Sequence, residues 1–301
     1  MNDIEKIKEI RRSIVKMVHN AGVSHIGAAF SMIEILYSLY FKVMKHDPKN
    51  PEDPDRDIFV LSKGHGSAGL YATLAHSGYF PEEDLMTYCV NDGKLPGHLD
   101  KDSCPGVEVS AGSLGHGFPI SLGLALARKN TKQRVFCIIG DGECNEGSIW
   151  EAAMLAPSLG LNNFTVIIDF NKIQSFGKTN EIIDQTNMAE RWASFGWDTV
   201  EIDGHNIEEI ENALQANGSA FQKITDARLA RSPEGAGPKL AEANEDEHNT
   251  ADGASGMCSK PKAIVAHTVK GRGVSFMEDQ LLWHYKSPDG EQLAQALEEL
   301  K

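Results

Sequence analysis

The stretch Val135-Phe136-Cys137-Ile138-Ile139-Gly140-Asp141-Gly142 decides the fold. Its five successive apolar residues, closed by a glycine, have the pattern of a strand buried on both faces. The run ends in a carboxylate between two glycines, at the place where open α/β sheets bind their ligands. Glycine there lets backbone approach a ligand closely, although Gly-Asp-Gly taken alone is equally good turn chemistry.

Three further runs read as strands: Phe164 to Ile168, the weaker Thr199 to Ile202, and Lys262 to Thr268. Helical segments separate them at 114–128, 148–159, 188–195 and 207–214, the last capped by Asn206 with Glu209. Strands alternating with helices predict an α/β fold, a central, mostly parallel sheet with helices on both faces. Towards the N-terminus, Ile4, Ile7, Ile10, Ile14 and Val18 have helical spacing, and the helix stops near Gly22. Ser31 and Glu34 have the spacing of a capping box that opens a second helix. Residues 50–57 read as a loop, and the short apolar run Ile58 to Leu61 leads into Ser62-Lys63-Gly64-His65-Gly66 and a small-residue helix. Residues 1–301 are expected to form one domain, interrupted at 232–260 by an acidic, mobile surface insertion too poor in apolar residues to pack.

Composition narrows the function classes. The formal charge is −14, from 29 Lys and Arg against 43 Asp and Glu, and no basic stripe occurs. Nucleic acid is therefore not an expected partner. No apolar run approaches the length of a membrane span, and the polar N-terminus is unlike a signal peptide. The five cysteines, Cys89, Cys104, Cys137, Cys144 and Cys258, form no C-x-x-C pair, so reduced thiols in a cytoplasmic protein are expected.

The second strand run ends in Asp169-Phe170-Asn171-Lys172, twenty-eight residues separating Gly142 from Asn171. If the two strands are neighbours, Asp141 and Asn171 meet at one sheet edge. A carboxylate and an amide oxygen are hard ligands suited to Mg²⁺, whose other positions go to diphosphate oxygens and water. Histidines stand in glycine-rich company at Ser24-His25-Ile26-Gly27, Lys63-Gly64-His65-Gly66, Pro96-Gly97-His98 and Ala111-Gly112-Ser113-Leu114-Gly115-His116-Gly117, with Trp283-His284 nearer the C-terminus. One such histidine is usually structural. Several together point to a polar pocket that contacts phosphate or moves protons near neutral pH.

The joint order of these motifs, ending in Thr268-Val269-Lys270-Gly271-Arg272-Gly273, resembles transketolase, and is similar to the separately encoded N-terminal subunit of split transketolases. The resemblance implies a thiamine-diphosphate-binding fold, with thiamine diphosphate and Mg²⁺ as cofactors. It implies that Asp141, Asn171 and the backbone oxygen of Ile173 hold the metal. It places His65 and Gly142 at the diphosphate, and Gly112 and Leu114 at the aminopyrimidine ring. His25, His98 and His284 would face the sugar, and Glu146 matches a glutamate between the two cofactor sites.

The pyrimidine-binding and C-terminal domains are absent from the match. The expected partner is therefore a C-terminal transketolase subunit in an α₂β₂ assembly that transfers a two-carbon ketol unit between sugars or sugar phosphates. The chain departs from the family at Ile26 and Leu99, where proline is usual, and at Ser175 and Phe176, where an apolar residue and Asp are usual. These changes lie at the substrate end and point to a specialised sugar. His116 is more like the deoxyxylulose phosphate synthase branch. A half-enzyme of that kind, half of a 2-oxo acid dehydrogenase, and a non-catalytic cofactor-binding homologue stand as alternatives.

Overall fold

In the computed structural model, which describes residues 2–216, Phe221 and 260–301, five strands form one sheet. They are β1 (Ile58–Leu61), β2 (Val135–Gly140), β3 (Phe164–Phe170), β4 (Asp198–Asp203) and β5 (Lys262–His267). Their order is β1-β2-β3-β5-β4, and every neighbouring pair is parallel. Four strands were expected. The fifth is Ile58–Leu61, too short at four residues to announce a period. The acidic stretch 232–260 lies outside the described residues except for Lys260.

Alternation along the strands divides the interior in two, because successive side chains point to opposite faces. Phe59, Phe136, Ile138, Ile167, Val200 and Ile264 pack beneath α1 (Asp3–Ala21), α2 (Ile26–Phe30), α3 (Ile33–Ser38), α4 (Ser67–His76) and α9 (Ile207–Gln215). Val60, Cys137, Ile139, Val166, Ile168 and Val265 pack against α5 (Gly117–Ala127), α6 (Gly147–Ser158) and α8 (Met188–Ser194). A four-residue helix, α7 (Thr179–Ile182), lies beyond the end of β3. A helix Gly290–Glu299 closes the chain with a capping box of Asp289 and Gln292. Among the described residues no helix is long and apolar enough to cross a membrane.

α1 follows its spacing closely. Ile7, Ile10, Ile14 and Val18 are buried, Asn2 caps the start by accepting from the Glu5 N–H, and Gly22 ends the helix at φ +66°. Glycine is suited to that left-handed position because it has no Cβ to clash. Asn206 caps α9, accepting from the N–H groups of Glu208 and Glu209.

The capping box expected at Ser31 and Glu34 does not form. The chain breaks at Ser31-Met32 between α2 and α3, and both side chains serve tertiary contacts instead. Ser31 Oγ donates to Asp169 Oδ2 at 2.6 Å, while Glu34 takes two hydrogen bonds of 2.8 Å from the Arg11 guanidinium. Arg11 and Glu34 are both buried, and a buried charge gains more from a fork-shaped partner than from a helix end. His205 Nδ1 lies 3.1 Å from Glu34 Oε2. Burial alone would raise the Glu34 carboxyl, but Arg11 and His205 outweigh it and hold it at about 2.

Removing one partner strands the other in the core. Glu34→Ala is expected to lower unfolding free energy by about 3–5 kcal/mol, measured by urea denaturation at neutral pH. Because the folded carboxyl titrates below its ordinary value of 4.5, its contribution is present above that pH and fades as pH falls towards about 2. The acid limb of the stability profile is therefore shallower in the variant than in the wild type.

Candidate active site at the carboxyl edge of the sheet

β2 and β3 are in register, Gly140 beside Asp169, so the residues after both strands emerge together. Asp141 and Asn171 thereby meet at one edge, as the strand pattern anticipates. Lys172, at φ +67°, turns the chain so that its N–H donates to Asp141 Oδ2 at 2.6 Å. Gly142 N–H donates to Asp141 Oδ1 at 2.8 Å, and Thr179 Oγ1 donates to Oδ2 at 3.0 Å. These donors hold a carboxylate that is only 2% exposed and that forms no ion pair among the described residues. Burial, and then the neighbouring Asp169, push its titration above the ordinary value. A buried carboxyl in this position is neutralised by a proton or offset by a nearby cation. The amide of Asn171 donates from Nδ2 to Asp169 Oδ2 at 3.3 Å, which orients its oxygen away as an acceptor.

The cavity beside these groups measures about 250 Å³. Of the residues singled out in the sequence, His25, His65, His98, Gly112, Leu114, Asp141, Gly142, Asn171, Ile173 and His284 all line it. Glu146 does not. It is exposed, and its Cβ would lie 2.7 Å from any Cβ placed on Gly115. His116 is exposed and also outside the lining. Among the described residues no three His, Cys, Asp or Glu side chains gather as a metal cluster. The donor set at this edge is of another kind, one carboxylate with an amide and a carbonyl oxygen.

Four imidazoles form one wall. The His25 ring lies 5.4 Å from His65, 5.9 Å from His98 and 4.9 Å from His284, centre to centre. His25 is held at φ +75°, an uncommon backbone conformation for a residue with a side chain. Its N–H donates to the His284 carbonyl at 3.1 Å, tying the chain start to the chain end. Burial, then His98 and Lys270, push His25 down to about 4. Burial, then Lys270 and His25, push His284 down to about 3. His65 is likewise driven well below its ordinary value, first by burial and then by Lys63. Near neutral pH these three rings are uncharged, each with one donor and one acceptor.

Charged residues that the sequence reading did not single out underlie the wall. Lys63 and Lys270 are each 1% exposed. The Lys63 ammonium pairs with Asp169 and donates to the Ala28 carbonyl at 3.0 Å. Burial would raise Asp169, but Lys63 outweighs it and keeps the carboxyl ionised. Lys270 donates to the Ile173 carbonyl at 3.0 Å, and burial, then Lys63, bring it down to about 8. Glu143, 1% exposed, accepts from Ser62 Oγ at 2.5 Å, the Gly115 N–H at 2.9 Å and the Gly140 N–H at 3.2 Å. It fastens the 111–117 loop to the ends of β1 and β2. Gly64 permits the same junction, since a Cβ there would meet the Ala111 oxygen at 2.1 Å.

Comparison with known proteins places this arrangement in context. Residues 2–270 match the family model described as transketolase, thiamine diphosphate binding domain. The chain is 39% identical over 300 residues to one of the subunits of apulose-4-phosphate transketolase from Actinobacillus succinogenes, covering 99% of this chain and 95% of that relative. It is 37% identical to the 6-deoxy-6-sulfo-D-fructose transketolase subunit SqwG of a Clostridium species, covering 97% and 94%. Among solved structures, transketolase from Campylobacter jejuni superposes with a TM-score of 0.81 at 29% identity, over all of this chain and 43% of that one.

Glu143→Ala removes the acceptor of three buried donors, each costing about 1–3 kcal/mol when left unpaired. The expected result is a loss of about 3 kcal/mol or more in urea denaturation, with faster amide exchange at Gly115. Glu143→Gln, which keeps one acceptor oxygen, is expected to lose less.

Proposed function

The chain belongs to the transketolase family, as its N-terminal, thiamine diphosphate binding domain, and from that premise we propose that it is the diphosphate- and Mg²⁺-binding subunit of a two-chain transketolase. The observation that carries this reading is the fixed, buried Asp141 carboxyl, in no ion pair among the described residues, beside the Asn171 amide and in one cavity with His25, His65, His98 and His284. Asp141, Asn171 and the Ile173 carbonyl would hold the metal. These are hard oxygen donors of the kind Mg²⁺ selects, with room left for phosphate oxygens. His65 and the backbone at Gly142 would receive the diphosphate. Gly142 lines the cavity, and a side chain there would collide with Gln174, its Cβ standing 2.9 Å from Gln174 Cγ. Gly112 and Leu114 would contact the aminopyrimidine ring, and Glu146, exposed at the rim, would face the neighbouring chain.

Thiamine diphosphate, when bound, supplies the carbanion chemistry that transfers a two-carbon ketol unit from a ketose to an aldose. The residues of this chain bind, orient and move protons. The neutral rings of His25 and His284 each have Nδ1 already paired, with Ser24 Oγ and with the Lys270 ammonium, and would offer the other ring nitrogen to a sugar hydroxyl. Ser175 lines the cavity, and the Tyr285 hydroxyl donates to its carbonyl at 2.5 Å, while Phe176 stands 85% exposed at the rim. An exposed aromatic at this edge supports docking of a second chain over the cavity. Both of the relatives described above are named as subunits of a transketolase, which supports pairing with a C-terminal subunit in an α₂β₂ assembly. Unpaired Cys89, Cys104, Cys137 and Cys144 support a cytoplasmic setting. A specialised sugar or sugar phosphate as substrate is supported by Ile26 and Leu99 in place of proline.

Calorimetric titration of thiamine diphosphate with and without Mg²⁺ tests the cofactor reading. Asp141→Ala is expected to weaken metal-dependent binding by more than about 100-fold while the circular dichroism spectrum stays unchanged. Unchanged affinity overturns the metal assignment, and ketol transfer by the purified chain alone overturns the two-chain assignment.

A further inference from the structure

Lys270 lies against the cavity wall, and three backbone groups around it are hydrogen-bonded. The N–H of Val269 donates to His205 Nε2 at 2.8 Å, the N–H of Gly271 donates to the Gly27 carbonyl at 3.0 Å, and the Lys270 carbonyl accepts from Asp279 at 2.9 Å. His205 is itself fixed, because Nε2 accepts from Val269 and so its Nδ1 faces Glu34 with the proton. Gly27 keeps the path clear, since a Cβ there would stand 3.0 Å from Lys270 Cγ. The stem is thus guided through the core to one end point. There its ammonium meets two acceptors, the Ile173 carbonyl at 3.0 Å and His284 Nδ1 at 2.8 Å.

From this geometry we infer that Lys270 is a positioning residue that locks His284 in its Nε2–H tautomer and so makes His284 a hydrogen-bond donor to the cavity. The chemistry is one of elimination. An ammonium carries three hydrogens and no lone pair, so it can only donate. Nδ1 of His284 must therefore accept, which leaves the single proton of the ring on Nε2. The same contact excludes imidazolium, in which both nitrogens would be protonated. Among the described residues no hydrogen bond is made to Nε2 of His284, and the residue lines the cavity. Its N–H is free for an incoming oxygen. A ring held in this way donates to a phosphate oxygen or a sugar hydroxyl and cannot begin a reaction by giving up a second proton. That consequence for the ligand rests on the function proposed above; the tautomer itself does not.

The tautomer is read directly from the imidazole ¹⁵N shifts of the full chain labelled in its 11 histidines, with His284 assigned by the signal lost in His284→Gln. The expected spectrum shows an unprotonated, pyridine-type Nδ1 and a protonated, pyrrole-type Nε2. In Lys270→Met both nitrogens are expected to shift towards a common averaged value. Lys270→Gln, which keeps an N–H donor, is expected to hold the wild-type pattern. A protonated Nδ1 in the wild type overturns the inference, as does a pattern left unchanged in Lys270→Met. If Lys270→Met does not fold, the wild-type spectrum alone decides. No ligand is present in these spectra, so failure of thiamine diphosphate to bind in calorimetry is a separate result and bears only on the proposed function.

Discussion

The contact between Lys63 and Asp169 holds the functional edge of the sheet together. Lys63 follows β1, Asp169 lies in β3, and both are fully enclosed. The same carboxylate accepts from Ser31 after α2, Thr268 after β5, and the Asn171 amide. One side chain thus joins three strand ends to a helix terminus. In the low-dielectric interior such a pair persists only if its remaining hydrogen-bonding capacity is filled, and here four neighbours fill it. The orientation of Asn171, and with it the aim of its oxygen, follows from this arrangement. The cavity is shaped from behind, by a buried ion pair of which Lys63 alone reaches the lining.

Electrostatics give the pocket a graded character. Its rear is lined by Lys63 and Lys270, one end by the Asp141 carboxyl, and its wall by neutral imidazoles. Two cations and a carboxylate site in one small volume suit a ligand that is itself an anion bound through a divalent ion. An acidic protein can hold such a ligand because the local field, and not the net charge of −14, decides it.

Much of the sheet is legible in the sequence, because strands buried on both faces write themselves as unbroken apolar runs. Val135 to Ile139 and Phe164 to Ile168 need no tertiary information, and their adjacency brings Asp141 to Asn171. The histidines are visible for a related reason, since several imidazoles set beside glycines together point to a polar pocket. Lys63, Asp169 and Lys270 are harder to see. A lysine reads as a surface residue, and its partner stands 106 residues away in the case of Lys63. The available signal is local: both lysines precede a glycine and follow an otherwise buried segment. Glu34 misleads in the same way, since its spacing from Ser31 fits a cap while its partner is Arg11, two helices earlier in α1. Local grammar gives way wherever a buried charge must be answered from a distance.

The strand order also sets a timetable for the nascent chain. β4 touches the sheet only through β5, which is made some sixty residues later. Until β5 emerges from the ribosome, the edge of β3 is an unpaired apolar strand, the kind of surface that chaperones cover and that aggregates when they do not. The pocket waits longer still, because the His25 backbone is fastened by the carbonyl of His284. Synthesis as far as residue 284 therefore precedes a finished binding wall, and a shorter nascent chain has no mature surface to offer a ligand too early.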